Sequence, residues 1–360
     1  MKPMKMFAAF ALALGLMGGS LPASAPSPQL LIPAGHLFVC VQDDAKIAII
    51  DTTTTEVVQT IDLQKIGFPA TAKPHYIVVE PNRQHWYVSL IGANTVVKFN
   101  AANEVVATFE METPGMLALS AADQLVVTRS MSAVNPPKRI GIITRSTMQG
   151  EEVDVLFPRP HPLAVQGAYA YTGSLGTNQI ASISLDTHRV TLVPVAGPTH
   201  AFVQFAVSPN GRTLVGSTEV SGQLMVFDIS DLSKPVFKKS IALGKMVFDP
   251  VFTPDGRSVW VAVKMDNEIA VVDTTTWEVT NRITSDAFKQ PHQIVFSADG
   301  RRAFVSNNNK MDHMADPAHA GHAMPGGDAP AALVVIDTST LKTIKAEALG
   351  KNLTGMGIAR

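Results

Sequence analysis

The sequence predicts an all-β protein, a seven-bladed β-propeller, and two observations support this prediction. A Gly-Arg turn recurs at Pro209-Asn210-Gly211-Arg212, Pro254-Asp255-Gly256-Arg257 and Ala298-Asp299-Gly300-Arg301, with the first residues 45 and 44 positions apart. Between the turns, apolar and β-branched residues cluster over short runs, as they do in strands. A repeat of about 40 to 50 residues built from strands is typical of propeller blades, one blade per repeat.

The first 25 residues predict a secretory signal peptide. Lys2 and Lys5 precede an apolar stretch at 6–19, and Ala23-Ser24-Ala25 supplies small residues for cleavage. We therefore expect cleavage after Ala25 and a periplasmic or secreted location. The apolar stretch is too short to predict a membrane span. Residues 26–360 are expected to form a single propeller domain.

Composition narrows the range of partners. The chain has 29 lysines and arginines and 30 acidic residues, and loss of Lys2 and Lys5 leaves 27 against 30. This balance gives no basic footprint for nucleic acid or an anionic membrane. One cysteine, Cys40, excludes an intramolecular disulfide and a Cys-x-x-Cys-His haem site. We expect Cys40 to be a small buried hydrophobe, and the protein to be a monomer.

The two ends of the chain are predicted to share one blade. Strand-like runs at 37–41 and 47–51 lack a preceding inner strand, and 353–359 resembles an inner strand with no blade after it. Pairing them would close the ring and remove free sheet edges. The other six blades are expected to be four-stranded and antiparallel, beginning near His75, Met116, His161, Phe202, Phe248 and His292. Six blades is the alternative, and it would make the irregular third blade an insertion.

Several strands resemble a known repeat. The runs Trp-Tyr-Val-Ser at 86–89, Val-Trp-Val-Ala at 259–262 and Ala-Phe-Val-Ser-Asn at 303–307 are similar to the repeat of YVTN-type seven-bladed propellers, as are the following Asp-Thr turns at 51–52 and 273–274. The resemblance covers about residues 36–360. It implies the fold and the compartment. The wider group includes periplasmic propellers, surface-layer proteins and the haem-d-binding propeller of nitrite reductases, so it implies no single activity.

A histidine- and methionine-rich insert at 308–331 interrupts the last blade. Asp273 and Asp337 lie 64 residues apart, about 20 more than the repeat of roughly 44 predicts. The candidate metal ligands in this insert are Met311, His313, Met314, His319, His322 and Met324. Imidazole and thioether groups suit copper, with Met favouring Cu(I). The insert therefore predicts a copper-binding loop, with a solvated low-complexity linker as the alternative.

Three histidines occupy the same register of their blades. His75, His161 and His292 each follow a proline and lie six positions before the turn of the blade. Equivalent positions of inner strands converge on the central channel, so these side chains are expected to ring one channel mouth. His200, three residues before this register, is expected to lean over the same mouth. The alternative is that each imidazole only hydrogen-bonds the neighbouring blade.

No catalytic residues are predicted. Gly-x-Ser-x-Gly and His-Glu-x-x-His motifs are absent from the sequence, and Asp249 is the acid nearest the histidine register. We therefore expect a periplasmic binding protein for a metal ion or small ligand, with copper as the candidate cofactor. One alternative is an oxidoreductase-associated propeller that holds a tetrapyrrole or metal at the mouth. The other is an interaction scaffold for a periplasmic protein partner.

Overall fold

The computed structural model describes residues 30–129, 136–310 and 330–360. These residues form 28 β-strands, which make seven four-stranded antiparallel sheets. The fold is therefore the predicted seven-bladed propeller, and the six-bladed alternative is wrong. Residues Leu31–Arg360 make one compact unit. The predicted signal peptide lies outside the described residues.

The strands follow the chain blade by blade. Blade 1 contains β1 (His36–Val41), β2 (Lys46–Asp51) and β3 (Val57–Asp62); blade 2 contains β4 (Pro74–Val79), β5 (His85–Leu90), β6 (Thr95–Asn100) and β7 (Val105–Glu110); blade 3 contains β8 (Pro114–Leu119), β9 (Gln124–Arg129), β10 (Arg139–Thr144) and β11 (Gln149–Asp154); blade 4 contains β12 (Pro160–Gln166), β13 (Tyr169–Ser174), β14 (Gln179–Ser184) and β15 (Val190–Pro194).

The remaining strands complete the ring. Blade 5 contains β16 (Phe202–Val207), β17 (Thr213–Thr218), β18 (Gln223–Asp228) and β19 (Val236–Ala242); blade 6 contains β20 (Val247–Phe252), β21 (Ser258–Val263), β22 (Glu268–Asp273) and β23 (Val279–Thr284); blade 7 contains β24 (Pro291–Phe296), β25 (Arg302–Asn307), β26 (Ala331–Asp337) and β27 (Lys342–Gly350); β28 (Leu353–Ile358) joins blade 1. Short 3₁₀ helices span Gln42–Asp44, Leu63–Ile66, Ile91–Ala93 and Lys264–Asp266.

The ring closes through the two ends of the described chain. Blade 1 has the order β28-β1-β2-β3, so the C-terminal strand is its inner strand, as predicted. Residue Leu37 of β1 pairs with Ile358 of β28 in antiparallel register. The inner strands contact one another in sequence around the ring, and β28 contacts both β24 and β4. Each inner strand therefore has an inner strand on both sides, and the ring of blades has no open end.

The core lies between the blades. Seven apolar clusters occupy the seven blade interfaces. Because successive strand residues point to opposite faces, Phe38 packs towards blade 2 while Leu37 packs towards blade 7. Trp86 stacks on Phe99 with ring centroids 4.1 Å apart. Cys40 is fully buried in the first cluster, as predicted.

The repeated turns are stabilised by their own side chains. Asp255 accepts hydrogen bonds from the Thr253 hydroxyl at 2.7 Å and from the Arg257 backbone N–H at 3.1 Å. Gly256 has a φ of +71°, a conformation that costs glycine little. The turn at 297–301 repeats the same bonds. Within the described part of the chain, no helix is long and apolar enough to cross a membrane.

Hydroxyl groups in the second strands link neighbouring blades. The buried Ser89 hydroxyl accepts a hydrogen bond from the Tyr76 N–H at 3.2 Å and donates to the Gly115 carbonyl of blade 3 at 2.7 Å. Thr128 links blades 3 and 4 in the same way, and Ser306 links blades 7 and 1. Each hydroxyl therefore satisfies two backbone groups that would otherwise be buried without partners.

The first prediction concerns this link. Ser89→Ala leaves the Tyr76 N–H and the Gly115 carbonyl without partners, so the free energy of unfolding should fall by about 1–3 kcal/mol. Denaturant unfolding measures the change. Thr108→Ala, on the exposed strand β7 of the same blade, is the control and should change it by less than about 0.5 kcal/mol. Equal effects of the two substitutions would contradict a bridging role for Ser89.

Candidate functional site: the central cavity

All seven inner strands lose regular pairing just after their first residue. In β4, for example, Pro74 pairs with Leu90 and the next pair is Tyr76 with Ser89, so His75 has no partner in the ladder. The other six inner strands show the same interruption. Irregularities of this kind bend a strand and redirect its side chains. Here they turn the second and third residues of the inner strands towards the central channel.

A cavity of about 350 Å³ lies at this end of the channel. The second residues of the inner strands form its first layer, which comprises His75, His161, Val203, Phe248, His292 and Thr354. The third residues form a deeper layer, which comprises Tyr76, Met116, Gln204, Asp249 and Gln293. The structure therefore brings the three histidines of the shared register to one cavity. Its volume lies at the lower end of the range for ligand pockets, about 300–1,000 Å³.

The three imidazoles differ in their partners. The Nδ1 of His75 lies 3.0 Å from the Gln42 side-chain oxygen of blade 1. The Nδ1 of His161 lies 2.6 Å from the Val203 carbonyl oxygen of blade 5. These two rings therefore bond a neighbouring blade while they also line the cavity. The Nδ1 of His292 is buried without a hydrogen-bond partner.

Burial keeps these imidazoles neutral. Desolvation lowers the pKa of His75 to about 3 and that of His161 to about 4. It also holds the pKa of His292 well below its usual value, and the nearby Lys264 lowers it further. Because the folded state keeps these rings neutral, the unfolded chain takes up protons first as the pH falls below about 6.5. The free energy of unfolding therefore decreases below this pH.

His200 lies apart from this cluster. Its Nδ1 is 2.9 Å from the Ser221 hydroxyl, and its Nε2 is 3.0 Å from the Ala196 carbonyl oxygen. The side chain is buried, and it is not among the residues that line the cavity. Both ring nitrogens are therefore engaged within blade 5 and its preceding loop.

Polar side chains form the floor of the cavity. The Tyr76 hydroxyl accepts hydrogen bonds from the side-chain amides of Gln204 and Gln293, each at 3.1 Å. Asp249 accepts a hydrogen bond from the Ile294 backbone N–H at 3.0 Å. The same four polar side chains also line a second cavity of about 630 Å³ further along the channel. This layer therefore separates the two cavities.

Asp249 is an acid in an environment that opposes its charge. Burial raises its pKa to about 7, although hydrogen bonds from the Ile294 N–H and Gln204 oppose the rise. Desolvation dominates because a carboxylate loses more hydration than two neutral donors replace. At neutral pH the protonated and ionised forms of Asp249 are therefore both populated.

Several cationic side chains line the cavity. Lys73, Arg159, Lys264 and Lys310 line the cavity, together with one further acid, Glu219. Lys264 is buried, and its ammonium group lies 4.6 Å from the ring centroid of Phe248. The Lys310 ammonium group forms an ion pair of 2.7 Å with Asp43.

The structure adds residues that the sequence did not predict. The floor could have been found, because Tyr76, Gln204 and Gln293 are polar residues one position after the histidine register in otherwise apolar strands. The rim cations gave no such signal, since Arg159 and Lys264 lie in connections between strands, where the repeat carries no pattern.

The predicted copper ligands fall outside the described residues. His313, His319, His322, Met311, Met314 and Met324 all lie in the segment 311–329. The flanking residues are described: Lys310 lines the cavity, and the Asn309 amide donates a 3.1 Å hydrogen bond to the Pro330 carbonyl. Among residues 30–129, 136–310 and 330–360, no three His, Cys, Asp or Glu side chains are grouped closely enough to hold a metal ion.

Comparison with known proteins supports the fold and leaves the activity open. No protein-family model matches the chain, and no curated protein matches it. A protein of unknown function from Desulfotomaculum acetoxidans is 13% identical, with a TM-score of 0.72 over 91% of this chain and 99% of that one. The dihydro-heme d1 dehydrogenase NirN, solved in complex with DHE, is 16% identical, with a TM-score of 0.59 over 91% of this chain and 75% of that one.

A third neighbour has a different function again. A putative 6-phosphogluconolactonase from Bacteroides fragilis is 14% identical, with a TM-score of 0.66 over 89% of this chain and 97% of that one. At these identities the likeness shows the propeller fold alone.

The second prediction follows from the raised pKa of Asp249. Because the folded state favours the protonated acid, its contribution to stability is present at low pH and is lost as the pH rises from about 4 to 7. The full shift corresponds to about 4 kcal/mol at most. Asp249→Asn mimics the neutral acid, so it should raise Tm relative to the unsubstituted protein at pH 8.5, and it should raise Tm by clearly less at pH 5, where only about a third of this stability has been lost.

Thermal unfolding at the two pH values measures this difference. Asp286→Asn removes one negative charge at an exposed position and serves as the control. An Asp249→Asn effect of the same size at both pH values would show that the titration of Asp249 does not limit stability.

Proposed function

We propose that this protein is a binding protein that takes a small organic molecule in the central cavity. The observation that carries the proposal is the state of the cavity's polar atoms. Among the described residues, seven buried side-chain polar atoms lack a hydrogen-bond partner, and Nε of Arg159, Oε1 of Gln204 and Nδ1 of His292 belong to side chains that line this cavity. Unpaired buried polar groups cost stability, and a bound ligand would satisfy them.

The proposal includes export and a relationship to other propellers. Residues 1–25 support export to the periplasm or the exterior, and a mature chain that still carried them would contradict it. The strand and turn sequences support membership of the YVTN-type repeat group. The alternative of a tetrapyrrole in the cavity is supported by the neighbouring NirN, and visible absorption bands in the purified protein would favour it over a colourless ligand.

The third prediction tests the cavity with a neutral aromatic probe, naphthalene-2-carboxamide. We expect measurable binding by isothermal titration calorimetry, because the cavity combines an apolar wall with unpaired donors and acceptors. Leu175 lines the cavity at its rim and is partly buried. Leu175→Trp should fill part of the space and weaken binding at least about tenfold, which corresponds to about 1.4 kcal/mol.

A matched variant separates cavity filling from a general effect. Ile344→Trp adds the same side chain at an exposed position of β27 and should leave probe binding unchanged. Equal affinity in the two variants would place the probe elsewhere and contradict the proposed site.

Copper binding by the segment 311–329 is a second candidate function. Its support is the donor set of three histidines and three methionines within 14 residues at 311–324. The contact between Asn309 and Pro330 holds the two flanking ends together beside the cavity rim.

The fourth prediction tests this candidate. Titration with Cu(I) under a buffering chelator, and with Cu(II), should show binding that is lost when His313, His319 and His322 are replaced by alanine together with the three methionines. The control replaces Asp312, Asp316 and Asp328 of the same segment with alanine and should retain most of the Cu(I) affinity. Affinity that survives the histidine and methionine replacements would show that the segment is not the copper site.

A further inference from the structure

More cationic than acidic side chains line the central cavity. This excess indicates the charge of the ligand, which the proposed function leaves unspecified. Four cationic side chains line the cavity: Lys73, Arg159, Lys264 and Lys310. The acids that line it are Glu219 and Asp249. The lining side chains thus carry more positive than negative charge, and Asp249 is partly protonated at neutral pH.

Two of these cations influence imidazoles of different blades. Arg159 lowers the pKa of His161, and Lys264 lowers the pKa of His292, in each case in addition to the larger effect of burial. Two neutral rings on different blades thus experience positive charge from different neighbours. Positive charge therefore acts on the cavity wall at two places, which favours a negatively charged ligand.

The Arg159 guanidinium has one N–H donor without an acceptor. Its Nε is buried and has no hydrogen-bond acceptor. A planar guanidinium binds carboxylates through paired, directional hydrogen bonds, which are among the strong polar contacts in proteins. The unpartnered Nδ1 of His292 is a second polar atom available beside the cavity.

Much of the remaining cavity wall is apolar, and it would contact the uncharged part of the ligand. Its side chains include Met116, Leu175, Val203, Met246 and Phe248. The ring of Phe248 contacts the His292 ring, with centroids 5.3 Å apart, and the Lys264 ammonium group. A ligand that was charged throughout would have to be desolvated against this surface at high cost. A compact apolar or aromatic body would gain by burial there.

We propose that the cavity binds an organic carboxylate with a compact apolar body, its carboxylate held at the rim by Arg159 and Lys264 and its body packed against Phe248. Asp249 at the floor sets the orientation, because a carboxylate near it would meet a like charge. This inference rests on the proposed function, and it names the ligand class for the same site.

The fifth prediction compares two probes of the same shape, naphthalene-2-carboxylate and naphthalene-2-carboxamide, by calorimetry at pH 7.5. The carboxylate should bind at least about tenfold more tightly, as expected for charged hydrogen bonds that replace neutral ones. Arg159→Gln and Lys264→Met should each remove most of this preference, because each should weaken carboxylate binding more than carboxamide binding. Lys342→Met, at an exposed position of β27, should leave the preference intact.

The affinities of the carboxylate and the carboxamide are compared first in the unsubstituted protein, so the test does not depend on the folding of a variant. Equal binding of the two probes, lost in Leu175→Trp, would overturn the carboxylate assignment and leave the proposed binding site standing. Absence of binding by both probes would overturn the proposed function and this inference together. A carboxylate preference that persists in both Arg159→Gln and Lys264→Met would show that other groups recognise the charge.

Discussion

The interrupted pairing at the start of the inner strands is the constraint on which both the ring and its cavity depend. The interruption leaves backbone N–H and C=O groups of the inner strand without a partner in the second strand. Because these groups are buried, each needs another hydrogen-bond partner. Hydroxyl groups such as those of Ser89 and Ser306 supply one, and they donate in turn to the next inner strand. The contact that joins the blades is thus the contact that allows two residues per blade to face the channel.

This arrangement fills the channel with groups that oppose stability. A ring of seven inner strands could hold apolar side chains throughout, yet His75, Gln204, Asp249 and Lys264 are buried there. Desolvation lowers the pKa of His75 and raises that of Asp249, so burial disfavours the charged form of both groups. Buried side chains with shifted pKa values cluster at functional sites, where they lower local stability but are needed for binding or catalysis. The interfaces between blades, by contrast, are built around apolar clusters.

The sequence predicted the repeated parts of the structure and missed the parts that do not repeat. The turn spacing and the unpaired strand at 353–359 were sufficient for blade number and closure, because both are properties of the repeat. The histidine register followed from the same counting. Arg159 and Lys264 lie in connections whose course depends on neighbouring blades. His200 precedes its strand, where the Ser221 hydroxyl and the Ala196 carbonyl decide its direction, and no periodic pattern records that.

The two proposed sites favour opposite charges, so they can be tested independently. Neutral imidazoles are suitable metal ligands, but the Nδ1 atoms of His75 and His161 are engaged with blades 1 and 5. The cations Arg159 and Lys264 lie beside His161 and His292 and would repel a metal ion. The proposed anion site in the cavity and the proposed copper site thus use separate sets of residues, and the histidines and methionines at 311–324 carry the soft donors that copper prefers.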